Sequence, residues 1–140
     1  MNISVIDVAK IFAESTPAEE ARKHLAEVQE VLKKGLDDVV ALYGDRVAAP
    51  EAQQAIAQAR NVLQQQMNVE QQAADAVVRN LLIEVTNDWV ENHKDVDMLV
   101  SRQQVVFAKP ELDITADLLA EMNKKTPVFP ELPKVNINKK

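Results

Sequence analysis

Residues 35–52, GLDDVVALYGDRVAAPEA, hold the point at which the chain turns back on itself, and that reversal decides the fold. Gly44 can take the left-handed position that closes a helix's last turn, since glycine has no side chain to clash there. Pro50 and Glu51 suit the first turn of a new helix: the proline lacks an N–H that would be unpaired anyway, and the carboxylate faces the positive end of the helix dipole. A connection as short as 43–49 makes the two flanking helices antiparallel neighbours.

Upstream of the turn, Ala18, Ala21, Leu25, Val28, Leu32, Gly35, Val39 and Leu42 recur at alternating intervals of three and four. This heptad stripe predicts a helix over 17–42, roughly 39 Å long at about 1.5 Å per residue. Thr16-Pro17-Ala18-Glu19 supplies its start as a T-x-x-E capping box. Gly35 lies in mid-helix, where it costs about 1 kcal/mol relative to alanine, so either a partner backbone comes close or the helix bends there.

Downstream, residues 51–92 contain neither proline nor glycine and predict a second helix over 50–92, roughly 65 Å long. Its first part, 52–74, is rich in alanine and glutamine, whereas 76–90 carries Val77, Val78, Leu81, Leu82, Ile83, Val85, Trp89 and Val90. Glutamine and alanine support a helix without demanding a core; the second composition suits burial on more than one side. Counting back from Gly44 pairs 18–42 with 52–76 and places the greasy end beside the chain's N-terminus.

That N-terminus is β-prone through Ile3, Val5, Ile6 and Val8. Two more β-prone runs, 98–101 and 104–108, follow the second helix, and Asp113-Ile114-Thr115 leads into an amphipathic helix with Ala116, Leu118, Leu119 and Met122. Pro127, Pro130 and Pro133 block helix and central strand alike. An extended tail is therefore expected over 126–140, docked through Val128, Phe129 and Leu132, with its last residues loose. The expected fold class is α+β: a small β-rich oligomerisation body, 2–13 and 77–125, carrying a long antiparallel coiled-coil helical hairpin arm over 17–76. Residues 1–125 form one domain on this reading and 126–140 its tail.

The chain has 140 residues with 16 Lys and Arg against 22 Asp and Glu, a formal charge of −6. Such a field repels phosphate backbones, so nucleic acid is not an expected partner. No apolar run approaches the roughly 18 to 20 residues that span a bilayer, so membrane insertion is not expected, and Asp7 and Lys10 rule out a signal peptide at 2–13. No cysteine is present, which removes thiolate chemistry, disulfides and Cys-bound zinc.

His24 and His93 have no H-E-x-x-H or acidic calcium loop around them, and Gly35 and Gly44 form no phosphate loop. Glu19-Glu20 and Asp37-Asp38 are adjacent helical positions that point in different directions, so nothing separates their acidities. Ser4, Ser15 and Ser101 lack a histidine with an orienting partner. The expectation is a protein that is not an enzyme, with no catalytic residue, no metal and no cofactor. The apolar face Ala52, Ile56, Ala59, Leu63 and Met67 suits weak, adaptable contacts with another chain. Unpaired sheet edges point to self-association.

Three stretches together resemble the Skp/OmpH family of periplasmic chaperones: Ile3-Ser4-Val5-Ile6-Asp7-Val8 with Ile11-Phe12, then Asp97-Met98-Leu99-Val100, then Asp113-Ile114-Thr115-Ala116-Asp117-Leu118-Leu119. The resemblance implies a homotrimer whose β-rich body is built by Ile3, Val5, Ile6, Val8, Leu99, Val105 and Phe107. It implies an ATP-independent holdase in the periplasm that keeps unfolded outer-membrane or other exported proteins in a cavity between helical arms. Leu25, Val28, Leu32, Val39, Ile56, Leu63 and Met67 would then face the client, with Gly35 as the arm's flexible point and Gly44 at its tip. The family's arms are basic, whereas residues 17–93 here carry seven Lys or Arg against 13 Asp or Glu, which leaves no constellation for lipopolysaccharide. The alternative from the helices alone is a coiled-coil structural or adaptor protein that docks one folded partner.

Overall fold

A computed structural model describes residues 1–135. Strand β1 (Ile3–Ile6) is followed by the short helix α1 (Val8–Glu14), helix α2 (Thr16–Ala41), helix α3 (Pro50–Glu91), strand β2 (Met98–Ser101) and helix α4 (Thr115–Met122). The described residues divide into two compact units, one of residues 1–22 and 75–128, the other of 23–74 and 129–135.

In the first unit β1 and β2 pair in parallel, with Ile3 opposite Met98 and Ile6 opposite Ser101. On the other side of β1, the Ile114 N–H donates to the Val5 carbonyl at 2.9 Å, beside an isolated bridge from Val5 to Asp113. β1 is thus held on both edges, and Val5 and Ile6 are buried. Ile11, Val78, Val85, Trp89, Leu118 and Met122 complete the core. Val5 and Val85 are therefore buried in one unit, as the reversal at Gly44 requires.

Helix ends follow from short-range chemistry. The Asp7 carboxylate caps α1 by accepting from the Lys10 N–H at 3.0 Å. Ser15 closes α1, donating its N–H to the Ile11 carbonyl, and opens α2, where its hydroxyl accepts from the Ala18 N–H at 3.3 Å. The cap lies one residue before the expected Thr16, whose N–H instead donates to the Asn123 side chain at 2.8 Å. α4 has Ile114 at its N-cap with no side-chain cap, and the Asp113 carboxylate just outside accepts from the N–H of its first residue, Thr115, at 2.8 Å.

In the second unit the connection turns at Gly44, which has φ +50°. The Gln53 side chain fastens the turn by donating to the Val47 carbonyl at 2.6 Å. Val28, Leu32, Ala52, Ile56 and Ala74 are buried, Leu25, Val39, Leu63 and Met67 half-buried. The buried set also includes Glu70, which accepts from the Gln66 side chain at 2.9 Å. The segment 129–135 has neither helix nor strand and packs on the helices: Phe129 stacks on His24 and Val135 lies over Gly35.

Several expectations are corrected here. The β-rich body is absent: among the described residues the only sheet has two strands, and 104–108 is not one of them. Residues 102–104 form a tight turn instead, and Val106 and Phe107 beyond it pair with no strand among the described residues. Val8 belongs to α1, so the opening strand stops at Ile6. The long coiled-coil arm is corrected as well: the helices are found at the expected bounds, but their packing includes a buried carboxylate and a third, non-helical segment. A two-helix coiled coil has an apolar seam and nothing else to pack on it.

Candidate functional site

The candidate site lies in the first unit, which contains an unpaired strand edge and, a few residues further along the chain, an exposed apolar pair. In β2 Leu99, Val100 and Ser101 are half-covered and Met98 is exposed. Parallel pairs ordinarily occur where both faces are covered, so this cover is unusually thin. The inner edge of β2 faces β1, and among the described residues no strand pairs with its outer edge.

The turn after β2 is pinned. The Ser101 hydroxyl donates to the Gln103 side-chain oxygen at 2.7 Å, and the Gln103 amide nitrogen donates to the Asp7 carboxylate at 2.9 Å. The Val105 N–H closes the turn on the Arg102 carbonyl at 3.1 Å. Asp7 therefore serves two structures, the α1 cap and this turn. The Gln103 hydrogen bond, then the Lys10 N–H, hold its carboxyl below the ordinary value, with Arg102 and Lys10 adding charge attraction. Val106 and Phe107 project from this fixed base, Phe107 at 79% exposure. Single exposed apolar residues are ordinary, but two adjacent large ones directly after a fastened turn form a small apolar patch.

Of the residues assigned to an oligomer body, Val5 and Ile6 are core, Ile3, Val8, Leu99 and Val105 are half-buried, and Phe107 is open to solvent. Met98 and Val106, which lie in the expected β-prone runs but were not assigned to the body, are exposed like Phe107. Their signal was present as hydrophobicity, but alternation says only which residues suit a sheet, not whether a partner strand exists.

The polar candidates are occupied structurally. Ser15 caps a helix, Ser101 holds Gln103, and Ser4 is buried in β1. His93 stacks on Trp89 with ring centroids 4.0 Å apart, and its Nδ1 lies 2.7 Å from the Trp89 carbonyl oxygen. Among the described residues no group of three or more His, Cys, Asp or Glu is placed to hold a metal ion. No helix of the described residues is long and apolar enough to cross a membrane.

No protein-family model matches the chain, and no curated protein matches it either. The resemblance to the Skp/OmpH family is accordingly withdrawn: the three matching stretches are short, and the β-rich trimeric body they implied is replaced by a two-stranded open sheet packed on helices. The holdase reading falls with it, together with the outer-membrane client and the cavity between arms. Val28, Leu32 and Ile56, which would have faced a client, are buried within a single copy of the chain. A side chain already covered by its own fold presents no surface to capture another protein.

Proposed function

We propose that this is a non-catalytic interaction protein that joins a second copy of itself through the outer edge of β2 and the Val106–Phe107 projection. The observation that carries this reading is the exposure of Phe107, two residues beyond a turn pinned to Asp7, in a unit whose strand β2 has an edge that no strand among the described residues pairs with. An exposed edge is a template for strand addition, and pairing two β2 edges about a twofold axis would satisfy both at once. Phe107, Val106 and Met98 would lose water in the same contact, which supplies the apolar driving force. Ordering costs little, because the turn already holds the segment.

Light scattering behind size exclusion tests the proposal. At tens of micromolar the mass is expected above the 15.6 kDa of one chain, and Phe107→Asp is expected to return it to 15.6 kDa with helix content unchanged. A wild-type mass of one chain over the whole accessible concentration range overturns it.

A further inference from the structure

The second unit contains a ligand of its own making. Prolines at 127, 130 and 133 recur every third residue, the period of a polyproline II helix, which has three residues per turn. Each fixes its own φ and pushes the residue before it to extended backbone, so Thr126, Phe129 and Leu132 are constrained too. In that conformation Phe129, Leu132 and Val135 share one ridge, while Val128, Glu131 and Lys134 share another. Phe129 and Val135, the two ends of the first ridge, are half-buried, and Leu132 between them is 39% exposed; Val128, Glu131 and Lys134 on the second ridge are all exposed.

Two contacts fix the segment on α2. Phe129 stacks on the His24 ring, centroids 4.9 Å apart and planes 13° from parallel. Val135 covers Gly35 so closely that a Cβ built there would stand 2.7 to 2.9 Å from the valine side chain. Helix positions 24 and 35 are separated by roughly 16 Å at about 1.5 Å per residue, and six polyproline steps span roughly 19 Å. The two contacts follow one another in the same order on both elements, so the segment runs alongside α2 in the same direction, with about 3 Å of length to spare. Gly35 is thereby explained: it keeps the helix backbone bare where a β-branched side chain must sit.

Among the described residues no backbone hydrogen bond ties 126–135 to α2 or α3. The segment is held by side chains alone, the mode in which preformed proline-rich peptides dock, with little ordering cost and no sheet or helix to break on release. We propose that the α2–α3 face bearing His24 and Gly35 is a peptide receptor, filled in cis by residues 129–135 and open to the same segment of a second copy when its own is detached. The occupant is set by the pairing itself: an aromatic residue and a β-branched residue six positions apart, with prolines between. This inference is independent of the β2 edge, which lies in the other unit.

The test uses the full chain and a fluorescein-labelled peptide of residues 126–135. Phe129→Ala combined with Val135→Ala releases the cis segment; this variant is expected to bind the peptide saturably by anisotropy, at least tenfold more tightly than the wild type. Adding Gly35→Ala, which favours helix and so leaves the fold intact by circular dichroism, is expected to weaken binding at least tenfold. A peptide with glycine in place of the terminal valine should then bind the Gly35→Ala protein better than the parent peptide does. Absence of binding to the released variant with its helix content retained overturns the proposal. So does equal binding by wild type and released variant, indifference to Gly35→Ala, or equal binding of a scrambled peptide of the same composition.

Discussion

The two units are held together by different means. In the first, residues far apart in sequence exchange directional hydrogen bonds: the Asp7 N–H donates to the Thr115 hydroxyl at 2.8 Å across 108 positions, and the Thr16 N–H to Asn123 across 107. The Asn2 N–H and side-chain amide fasten the other end of β1 to Asp97 and Asp95. In the second unit, the long-range contacts of 129–135 with α2 are made by shape: a ring on a ring and a valine over a glycine. Bonded ties fix register and resist substitution of either partner; packed ties tolerate replacement but depend on volume.

Substitution in the two cores gives the largest expected effects and tests that contrast. Leu118→Ala removes a fully buried side chain from the bonded unit and is expected to lower unfolding free energy by about 2–5 kcal/mol. Val28→Ala, equally buried in the packed unit, is expected to cost about 2 kcal/mol. Urea titration followed by circular dichroism measures both. Equal effects on Val28→Ala with and without residues Phe129 and Val135 replaced would show that the tail contributes nothing to packing around that helix.

A smaller effect isolates the hydrogen bonding. Thr115→Val keeps the side-chain shape but removes the hydroxyl that accepts from Asp7 and donates to the Asp113 carboxylate. Leaving the Asp7 N–H unpaired is expected to cost about 1–3 kcal/mol, visible as faster amide exchange at Asp7 before the strand amides respond. No change in exchange at Asp7 would mean that water replaces the threonine without loss.

The smallest effect is pH dependence, and it belongs to the first unit. The Asp7 carboxyl is held below its ordinary value, so its contribution is complete above the unfolded value and is lost as pH falls through the lowered one. Lys125 is raised, first by its hydrogen bond to Glu84 at 2.8 Å and then by the charge of that carboxylate. Its contribution is complete below the ordinary lysine value and is lost as pH rises through the raised one. Both groups are in contact with solvent, which screens the effect. Lys125→Met is expected to flatten the alkaline limb of a stability profile and leave the acid limb unchanged, with Asp7→Asn doing the reverse.

Much of the secondary structure was legible locally. The reversal at Gly44, the bounds of α2 and α3, the strand at 98–101 and the Asp-Ile-Thr entry to α4 each depend on residues within a few positions of one another. The exposure of Met98, Val106 and Phe107 was legible only in part. Val105, Val106 and Phe107 have strand propensity, but propensity measures fitness for a pleated surface and does not supply a neighbour. The tail was half-legible: its extension follows from three prolines and Phe129 does dock, whereas Val128 and Leu132 remain 82% and 39% exposed. The expected looseness of its end concerns residues 136–140, which lie outside the described residues.

The amino-acid sequence by itself determined where helices begin and stop and where the chain reverses, because capping, glycine conformation and hydrophobic period act over one or two helical turns. Only the tertiary structure decided which apolar side chains are covered. Gly35 is a weak point by propensity yet carries Val135 upon it, and the 104–108 run has strand propensity yet no pairing strand among the described residues. Coverage depends on segments a hundred positions apart arriving at one place. A local pattern states what a residue would accept, and the folded chain alone states what it receives.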